Sequence, residues 1–401
     1  MNATLPDQWL THWMWLASAA GAAGLLAMCA TWWLTSLVRH WALRLAVIAI
    51  PNERSLHVTP TPHGGGLAIV IVVLTVEALL LGCSLIPWRV GAATWLASLC
   101  LALLGLRDDI QSMSARGRLL LQILVALGWT LWVMHTMQIA LTPAPAPAAA
   151  AATAAAATAA ATATATADAL IGAASVLGIV WLVNLYNFMD GSDGRAAVQA
   201  IGAGLIGAAL ALWSGDFSNA TIALLLAASS AGFLCLNWRP AQIFMGDVGA
   251  YFLGGQFAML AAAQFIQTSQ PADTQSAAGA WLAHLPWLWL ILLAPFVVDA
   301  TLTLLLRLAR REHLASAHRS HAFQLLALMG WSHQRIALGL GALLVLVCLP
   351  LATTAVRHAA LAPYATLLAY GLLGALWLRI RFYADRARNK SDCPTSPTAA
   401  K

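Results

Sequence analysis

Long apolar segments separated by short polar ones run along almost the whole chain. An α-helix needs roughly 20 apolar residues to cross a bilayer, and the alternating pattern of barrel strands does not occur. The pattern predicts eleven spanning helices, at 10–37, 65–83, 90–106, 119–141, 169–185, 196–213, 220–236, 248–266, 281–306, 336–355 and 363–378. We therefore expect an all-α, polytopic integral membrane protein embedded in a lipid bilayer.

The composition supports this fold class and excludes several others. Of the 401 residues, 61% are hydrophobic and only 9% are charged, whereas soluble proteins are about 45–50% apolar and about 25% charged. A cytosolic enzyme, a secreted disulfide scaffold and a disordered protein are thereby excluded. The net charge of +6 does not predict a nucleic-acid partner, because the distribution of Lys and Arg matters more in a membrane protein.

One segment that is apolar by count differs from the others. Residues 142–167 repeat Ala, Thr and Pro, and we predict a low-complexity external loop there rather than a span. With the N-terminus outside, 19 of the 21 basic residues then lie on the cytoplasmic side, leaving Arg89 and Arg357 outside. This bias predicts an external N-terminus and a cytoplasmic C-terminus. Residues 1–378 then form one transmembrane domain, and 379–401 form a basic cytoplasmic tail.

Five of the few acidic residues gather on one face of the predicted bundle. In this topology Asp108, Asp109, Asp190, Asp193 and Asp247 all lie at cytoplasmic ends of spans. Carboxylates this close repel one another unless a cation lies among them, and their oxygens suit Mg²⁺ or Mn²⁺ held together with substrate phosphates. The same face carries basic and imidazole side chains, namely Arg54, His57, His63, Arg195, Arg239, His318, Arg319 and His321. The pattern indicates a metal–phosphate site, whereas a cation transporter would place carboxylates at the bilayer midplane.

Glycine-rich turns accompany these carboxylates. Three glycines at 64–66 follow two prolines, and further glycines frame the turns at 190–194 and 246–249. Such turns let backbone amides approach a phosphate closely, so we expect phosphate binding, with flexible connection as the alternative. Glu77 and Asp299 lie within spans, where each is either functional or hydrogen-bonded to a neighbouring helix.

Five segments occur in an order that is specific to one family. They are PNERSLHVTPTPHGGG (51–66), GLRDDI (105–110), NLYNFMDGSDG (184–194), NWRPAQIFMGDVGAYFLGG (237–255) and HRSHAFQLL (318–326). They resemble the polyprenyl-phosphate N-acetylhexosamine-1-phosphate transferases of glycosyltransferase family 4, which include phospho-N-acetylmuramoyl-pentapeptide transferase. Within the family, the histidine loop HRSHAFQ and the first loop PNERSLH resemble those of the initiating enzymes of O-antigen and enterobacterial common antigen. The chain departs from the usual family patterns at Ser112, where an acid or amide is common, and at Ala250, where a serine is common.

The resemblance implies a reaction and its setting. N-acetylhexosamine-1-phosphate would pass from a UDP-N-acetylhexosamine to undecaprenyl phosphate, releasing UMP, on the cytoplasmic face of the bacterial inner membrane. This step would initiate an O-antigen or related lipid-linked cell-surface glycan. The donor sugar stays open among GlcNAc, FucNAc and QuiNAc. The alternative is a transporter or flippase of lipid-linked intermediates, or a non-catalytic scaffold, which would explain the hydropathy but not the clustered carboxylates.

The resemblance also implies the site residues. It gives catalytic roles to Asp108, Asp109, Asp190, Asp193, Asp247, His318 and His321, and substrate-binding roles to Arg54, His57, Asn184, Asn187, Asn237 and Arg319. We expect His318, Arg319 and His321 to act as cationic donors to phosphate. Asp247 is the expected principal Mg²⁺ ligand (Mn²⁺ being possible), assisted by Asp109 or Asp108. A phosphate monoester is largely ionised near pH 7, so we expect direct in-line displacement; a two-step route through an aspartyl intermediate is the alternative.

Overall fold

The computed structural model describes residues 7–44, 48–49, 60–141, 154–269, 285–313 and 318–391. Its helices are α1 (Asp7–Arg44), α2 (Gly66–Gly82), α3 (Trp88–Ile110), α4 (Ala115–Leu141), α5 (Ala154–Met189), α6 (Arg195–Trp213), α7 (Phe217–Asn237), α8 (Gly246–Ser269), α9 (Leu285–Ala309), α10 (Ala322–Leu328), α11 (His333–Leu343), α12 (Leu349–Arg357) and α13 (Ala362–Ser391). A π-helical turn, Leu344–Cys348, joins α11 to α12, and a 3₁₀ turn, Ala359–Leu361, precedes α13. Two short strands, β1 (Ile48–Ala49) and β2 (Thr61–Pro62), pair antiparallel.

The helices confirm the predicted all-α, polytopic membrane architecture. Ten helical segments among the described residues are long and apolar enough to cross a membrane, and the shorter apolar α2 accompanies them. These segments match the eleven predicted spans one to one, with α11 and α12 together forming one span. The side of the membrane on which each terminus lies stays a prediction.

Two helices extend by more than ten residues beyond a predicted boundary. α5 begins at Ala154, so the second half of the Ala/Thr-rich segment is helix rather than loop, while residues 142–153 lie outside the described part of the chain. Alanine has the highest helix propensity, and adding turns to an existing helix avoids the cost of nucleation. α13 similarly continues to Ser391, into the residues that the sequence predicts as a tail.

α8 is the most buried of the candidate spans and packs against α2, α3 and α5. A Cβ at Gly66 would overlap the backbone of Gly249, so α2 and α8 meet backbone to backbone. Farther along, Gln256 Nε2 donates a hydrogen bond of 2.9 Å to Glu77 Oε1, and both side chains are buried. Glu77 is therefore hydrogen-bonded to a neighbouring helix, and these contacts fix the position of the N-terminus of α8.

Candidate active site

The N-terminus of α8 is held by a carboxylate from α3. A Cβ at Gly105 would overlap the carbonyl oxygen of Asp247, so α3 crosses α8 at this point. Asp109 lies one helical turn after Gly105 and on the same side of α3. Its Oδ1 accepts a hydrogen bond from the Asp247 N–H (2.9 Å), and its Oδ2 accepts one from the Val248 N–H (3.0 Å). Asp109 therefore caps α8, the helix that carries Asp247.

His63 lies next to this cap. Its Nδ1 is 3.6 Å from Asp109 Oδ1. The hydrogen bond to Asp109 raises the pKa of His63 against the opposing effect of burial, and the carboxylates of Asp109 and Asp247 add to the increase. The imidazole thus adds positive charge beside carboxylates that would otherwise repel one another.

Asp108 is held by three donors. Its Oδ1 accepts a hydrogen bond from the Met113 N–H (2.7 Å), and its Oδ2 accepts one from Arg118 Nη1 (2.6 Å) and one from Tyr251 Oη (3.2 Å). Arg118 Nη1 also lies 3.9 Å from Asp247 Oδ2. The Asp108 side chain is only 4% exposed, so its charge serves mainly to position Arg118 and Tyr251 beside Asp247.

Asp247 faces the last turns of α5. Asn187 Nδ2 lies 2.6 Å from Asp247 Oδ1, and the Asp247 side chain keeps 29% of its surface exposed. One turn earlier, Asn184 Nδ2 donates a hydrogen bond to Gln122 Oε1 (2.6 Å) of α4. Asn184 and Asn187 therefore line the same face of α5, and Asn187 contacts the carboxylate of Asp247 directly.

The loop between α5 and α6 carries Asp190 and Asp193 in different settings. Burial raises the pKa of Asp190 well above its ordinary value, and the nearby carboxylates of Asp247 and Asp109 add to this. Asp193 Oδ1 instead lies 3.1 Å from His333 Nδ1 at the start of α11. Burial favours a higher pKa for Asp193, but the hydrogen bond and charge of His333 outweigh it, so the pKa is lowered.

Asn237 joins two loops from a buried position. Its Oδ1 accepts a hydrogen bond from the Gly194 N–H (2.9 Å), and its Nδ2 donates one to the Ile243 carbonyl oxygen (2.9 Å). Asp193 Oδ2 adds a longer contact of 3.4 Å to the Ala241 N–H. Asp193 and Asn237 thus connect the 190–194 loop to the 238–245 loop that leads into α8.

The loop that carries His318 and His321 is held from α9. Asp299 Oδ1 accepts a hydrogen bond from the Ala322 N–H (2.7 Å) at the start of α10. Its Oδ2 lies 3.5 Å from Arg195 Nη2, and the Arg195 guanidinium lies between two aromatic rings, 4.1 Å from the nearer centroid, that of Phe323. Asp299 is therefore paired with the Ala322 N–H and with Arg195 inside the helical bundle. Because Ala322 directly follows His321, this pairing also positions His321.

His321 is neutral near pH 7. Burial lowers the pKa of its ring to about 4, against the opposing charge of Asp299. Its ring centroid lies 4.9 Å from that of His318, whose Nδ1 is 2.9 Å from Ser320 Oγ. The sequence predicts a cationic donor at this position, but the buried ring instead offers a neutral hydrogen-bonding group.

These groups meet at one end of a large cavity of about 1390 Å³. Apolar side chains of α4 and α5 form most of its length, among them Leu127, Leu131 and Leu177. The polar end is formed by Arg118, Asn184, Asn187, Asp247, His318, His321 and Gln324. An elongated apolar channel with a charged end suits an amphipathic ligand whose polar group reaches Asp247.

The oxygen donors at this end fit a hard divalent cation. Asp247 and Asn187 are in contact, and rotation of the Asn187 amide would place its oxygen beside Asp247 Oδ1. In the part of the chain that the structure describes, no three His, Cys, Asp or Glu side chains form a metal-binding group. Mg²⁺ commonly uses one or two protein carboxylates together with substrate phosphates, so this small donor set fits.

The first glycine-rich turn packs differently from the prediction. The N–H groups of Gly65 and Gly66 donate hydrogen bonds to the carbonyl oxygens of Phe244 (2.9 Å) and Met245 (2.8 Å). These two amides are therefore engaged within the protein rather than offered to a phosphate. The turn instead holds the segment that precedes Asp247.

Five of the predicted site residues line the cavity: Asp247, Asn184, Asn187, His318 and His321. Arg319 is half-buried in the same loop as the histidines, outside the cavity wall. Arg54 and His57 lie outside the described residues. The sequence did not single out Arg118 or Gln324 as site residues. Arg118 lies in the first turn of α4, eight residues after GLRDDI, and Gln324 lies within HRSHAFQ, and these positions are the signals that could have identified them.

The chain is similar to known transferases. The profile of glycosyl transferase family 4 matches residues 92–264. A decaprenyl-phosphate N-acetylglucosaminephosphotransferase of Mycobacterium leprae is 32% identical over 338 residues, covering 79% of this chain and 78% of the relative. A probable undecaprenyl-phosphate N-acetylglucosaminyl 1-phosphate transferase of Bacillus subtilis is 27% identical over 305 residues, covering 75% of each. A phospho-N-acetylmuramoyl-pentapeptide-transferase of Heliobacterium modesticaldum is 41% identical over 93 residues, covering 23% of this chain and 29% of the relative.

Proposed function

The chain belongs to glycosyl transferase family 4, and from this premise we propose that it transfers N-acetylhexosamine-1-phosphate from a UDP-sugar to a polyprenyl phosphate. The observation that carries the proposal is the cavity between α4 and α5, whose apolar length ends at Asp247. A polyprenyl chain would lie along the apolar walls, so its phosphate would reach the polar end.

The chemistry is a displacement at phosphorus. An oxygen of the lipid phosphate forms a bond to the β-phosphorus of the UDP-sugar, while the bond from that phosphorus to the bridging oxygen breaks. UMP leaves with the electron pair of the broken bond. The lipid phosphate is already largely ionised near pH 7, so the reaction does not require a strong general base.

The surroundings of Asp108 and Asp109 favour a single displacement. Asp109 uses both oxygens to cap α8, and Asp108 accepts hydrogen bonds from three groups. Neither carboxylate is free to attack phosphorus without breaking these bonds. We therefore propose that Asp109 and Asp108 position Asp247 and Arg118, and that no aspartyl intermediate forms.

Asp247 and Asn187 would hold Mg²⁺, which when bound neutralises the diphosphate charge and polarises its oxygens. Arg118, 3.9 Å from Asp247 Oδ2, provides a fixed cation for the phosphates. His318 and His321 line the same cavity and would donate hydrogen bonds to the phosphates. Together these groups orient two anionic reactants and reduce their mutual repulsion.

We further propose N-acetylglucosamine as the donor sugar, because relatives that match three quarters of the chain carry that sugar in their names. FucNAc and QuiNAc are the alternatives to compare. The proposed setting is the cytoplasmic face of a bacterial inner membrane, with undecaprenyl phosphate as acceptor and an O-antigen or related glycan as the final product. The positive-inside distribution of basic residues supports this orientation.

The test uses purified full-length protein in detergent with labelled UDP-GlcNAc, undecaprenyl phosphate and Mg²⁺. We expect lipid-linked label and an equal amount of UMP, with parallel reactions for the UDP-FucNAc and UDP-QuiNAc donors. A transporter or scaffold would form neither product, and that result would contradict the proposal. Omitting the lipid phosphate is the control for simple hydrolysis of the donor.

Orientation has its own test. Cys83 is exposed in the turn between α2 and α3, and Ser114 is exposed in the turn between α3 and α4. In a variant that lacks the other native cysteines, we expect a membrane-impermeant thiol reagent to label Cys83 in intact cells. The Ser114→Cys variant that also lacks Cys83 should be labelled only after the membrane is opened. Labelling in the reverse order would overturn the orientation.

A further inference from the structure

A second cavity lies apart from the proposed active site. It has a volume of about 500 Å³, lies between α9, α11 and α13, and shares no lining residue with the larger cavity. Apart from the buried ion pair of Arg195 and Asp299, its inner wall is apolar and includes the buried side chains of Ile336, Leu340 and Leu373. At Gly339 a Cβ would meet no atom within 4 Å, so the channel is open beside α11.

The mouth of this cavity is basic and aromatic. Arg335 and Arg379 both line it and are exposed, and neither guanidinium forms an ion pair with another residue in the described ranges. Trp331 and Tyr383 lie at the same mouth, 47% and 51% exposed. Exposed Trp and Tyr are typical of the level of the lipid headgroups, and guanidinium groups bind phosphate through paired hydrogen bonds.

The helices around this cavity also hold the loop that carries His318 and His321, which we call the histidine loop. Asp299 and Ala322 line the cavity and form the hydrogen bond that caps α10. On the other side, Arg381 of α13 donates a hydrogen bond of 3.2 Å to the carbonyl oxygen of Ser320. The loop that carries His318 and His321 is thus attached to both α9 and α13, two of the helices between which the cavity lies.

We propose that this cavity binds one acyl chain of an anionic glycerophospholipid, with the lipid phosphate between Arg335 and Arg379, and that the bound lipid stabilises the histidine loop. Two positive charges at the mouth favour a net-negative headgroup over a zwitterionic one, whose cationic part they repel. The volume is about a third of that of the larger cavity and suits an unbranched acyl chain better than a branched polyprenyl chain. The effect on the loop rests on the proposed function, whereas the binding does not.

Binding is tested by lipid retention. The full-length protein is reconstituted in vesicles of phosphatidylcholine mixed with phosphatidylglycerol, then extracted, and retained lipids are counted by native mass spectrometry. We expect one tightly retained phosphatidylglycerol that the Arg335→Gln/Arg379→Gln variant loses, with affinity falling about fivefold for each guanidinium removed. Gly339→Leu should lose the same lipid by filling the channel while keeping both charges.

Arg357→Gln is the matched control, because Arg357 is also exposed and contacts an aromatic ring, that of Trp213, away from the cavity. This variant should retain phosphatidylglycerol like the unmodified protein. Equal retention by all variants would overturn the proposal, and so would retention of added undecaprenyl phosphate in place of phosphatidylglycerol.

The effect on the loop is tested by transferase activity in the same vesicles. We expect phosphatidylglycerol to raise the turnover of the unmodified protein several-fold over phosphatidylcholine alone. The turnover of the Arg335→Gln/Arg379→Gln variant and of Gly339→Leu should not increase when phosphatidylglycerol is added. Stimulation of these variants equal to that of the unmodified protein would contradict the effect on the loop. Absence of transfer in every vesicle would instead contradict the proposed function, and the retention result would still decide whether the lipid site exists.

Discussion

Two carboxylates on membrane helices cap the helices that carry site residues, but their surroundings differ. Asp109 caps α8, which has 24 residues and packs backbone to backbone on α2 and α3. Asp299 caps α10, which has seven residues, and it also faces the buried guanidinium of Arg195. The same kind of carboxylate cap therefore adds to the extensive packing of α8, whereas it is one of the main supports of the short helix α10.

A cap matters most where little else fixes the helix. α8 would keep its direction without Asp109, because the glycine contacts act along its length. The start of the short helix α10 is held by Asp299, by the Gln324 side chain, which accepts a hydrogen bond from the His321 N–H, and by the attachment of Ser320 to Arg381. We therefore expect the Asp247 side of the cavity to tolerate loss of its cap better than the His321 side.

The largest expected effect comes from the residue that the Asp109 cap serves. Asp247→Asn keeps the size of the side chain but removes its charge, and we expect turnover to fall about a thousandfold because cation binding is lost. Folding should change little, since Asp109 rather than Asp247 caps α8. Transferase activity and thermal stability are measured together, with Asp247→Glu expected to recover little activity. Near-normal turnover of Asp247→Asn would contradict the proposal that Asp247 is a metal ligand.

The two caps are compared directly through their amide variants. Asp299→Asn leaves Arg195 buried without its counter-charge, so we expect a loss of about 3–5 kcal/mol in stability and at least a tenfold loss in turnover. Asp109→Asn keeps one acceptor oxygen, so we expect a loss of about 1–2 kcal/mol and a smaller loss in turnover. Thermal unfolding and activity assays check both variants.

Asp216→Asn is the matched control for these caps. Asp216 accepts a hydrogen bond from the Asn219 N–H (3.0 Å) at the start of α7, the end of that helix farthest from Asn237. Its amide variant should keep normal turnover. A larger loss of turnover in Asp109→Asn than in Asp299→Asn would contradict the expected difference between the two caps.

A pH-dependent contribution is expected where α11 meets the 190–194 loop. The pKa of Asp193 is lower in the folded protein than its ordinary value, so its pairing with His333 stabilises the fold at neutral pH. This contribution, about 1–3 kcal/mol, is lost as the pH falls through the ordinary aspartate pKa near 4 toward the folded value. Melting temperatures at neutral and acidic pH should differ less in Asp193→Asn than in the unmodified protein. An unchanged difference would contradict this role.

The smallest effect is expected far from both caps. Deleting residues 148–166 removes the first turns of α5 and the segment before them, and it retains Asp168 at the far end of the large cavity. We expect turnover within about twofold of the unmodified protein, as for a surface change. The activity assay with the deletion variant checks this. Complete loss of turnover in a folded deletion variant would show that this segment contributes to the site.

The sequence determined the membrane architecture and the chemical type of the site. Spans follow from the length of apolar segments, because a lipid-exposed backbone must satisfy its hydrogen bonds within a helix. Asp247, Asn187 and His321 could be selected because carboxylates, amides and histidines recur beside glycine turns in family order. Hydropathy did not predict that the Ala/Thr-rich segment continues α5 as helix from Ala154, since that segment is nearly neutral for insertion.

Only the tertiary structure decided how the acidic residues divide their roles. Asp108 and Asp109 are adjacent and chemically identical, yet one holds Arg118 and the other caps α8. That difference arises where α3 crosses α8 at Gly105, a contact between residues more than 100 positions apart in the chain. A local pattern records which side chains are present, whereas their partners depend on helix packing, and it is this packing that leaves Asp247 facing the cavity.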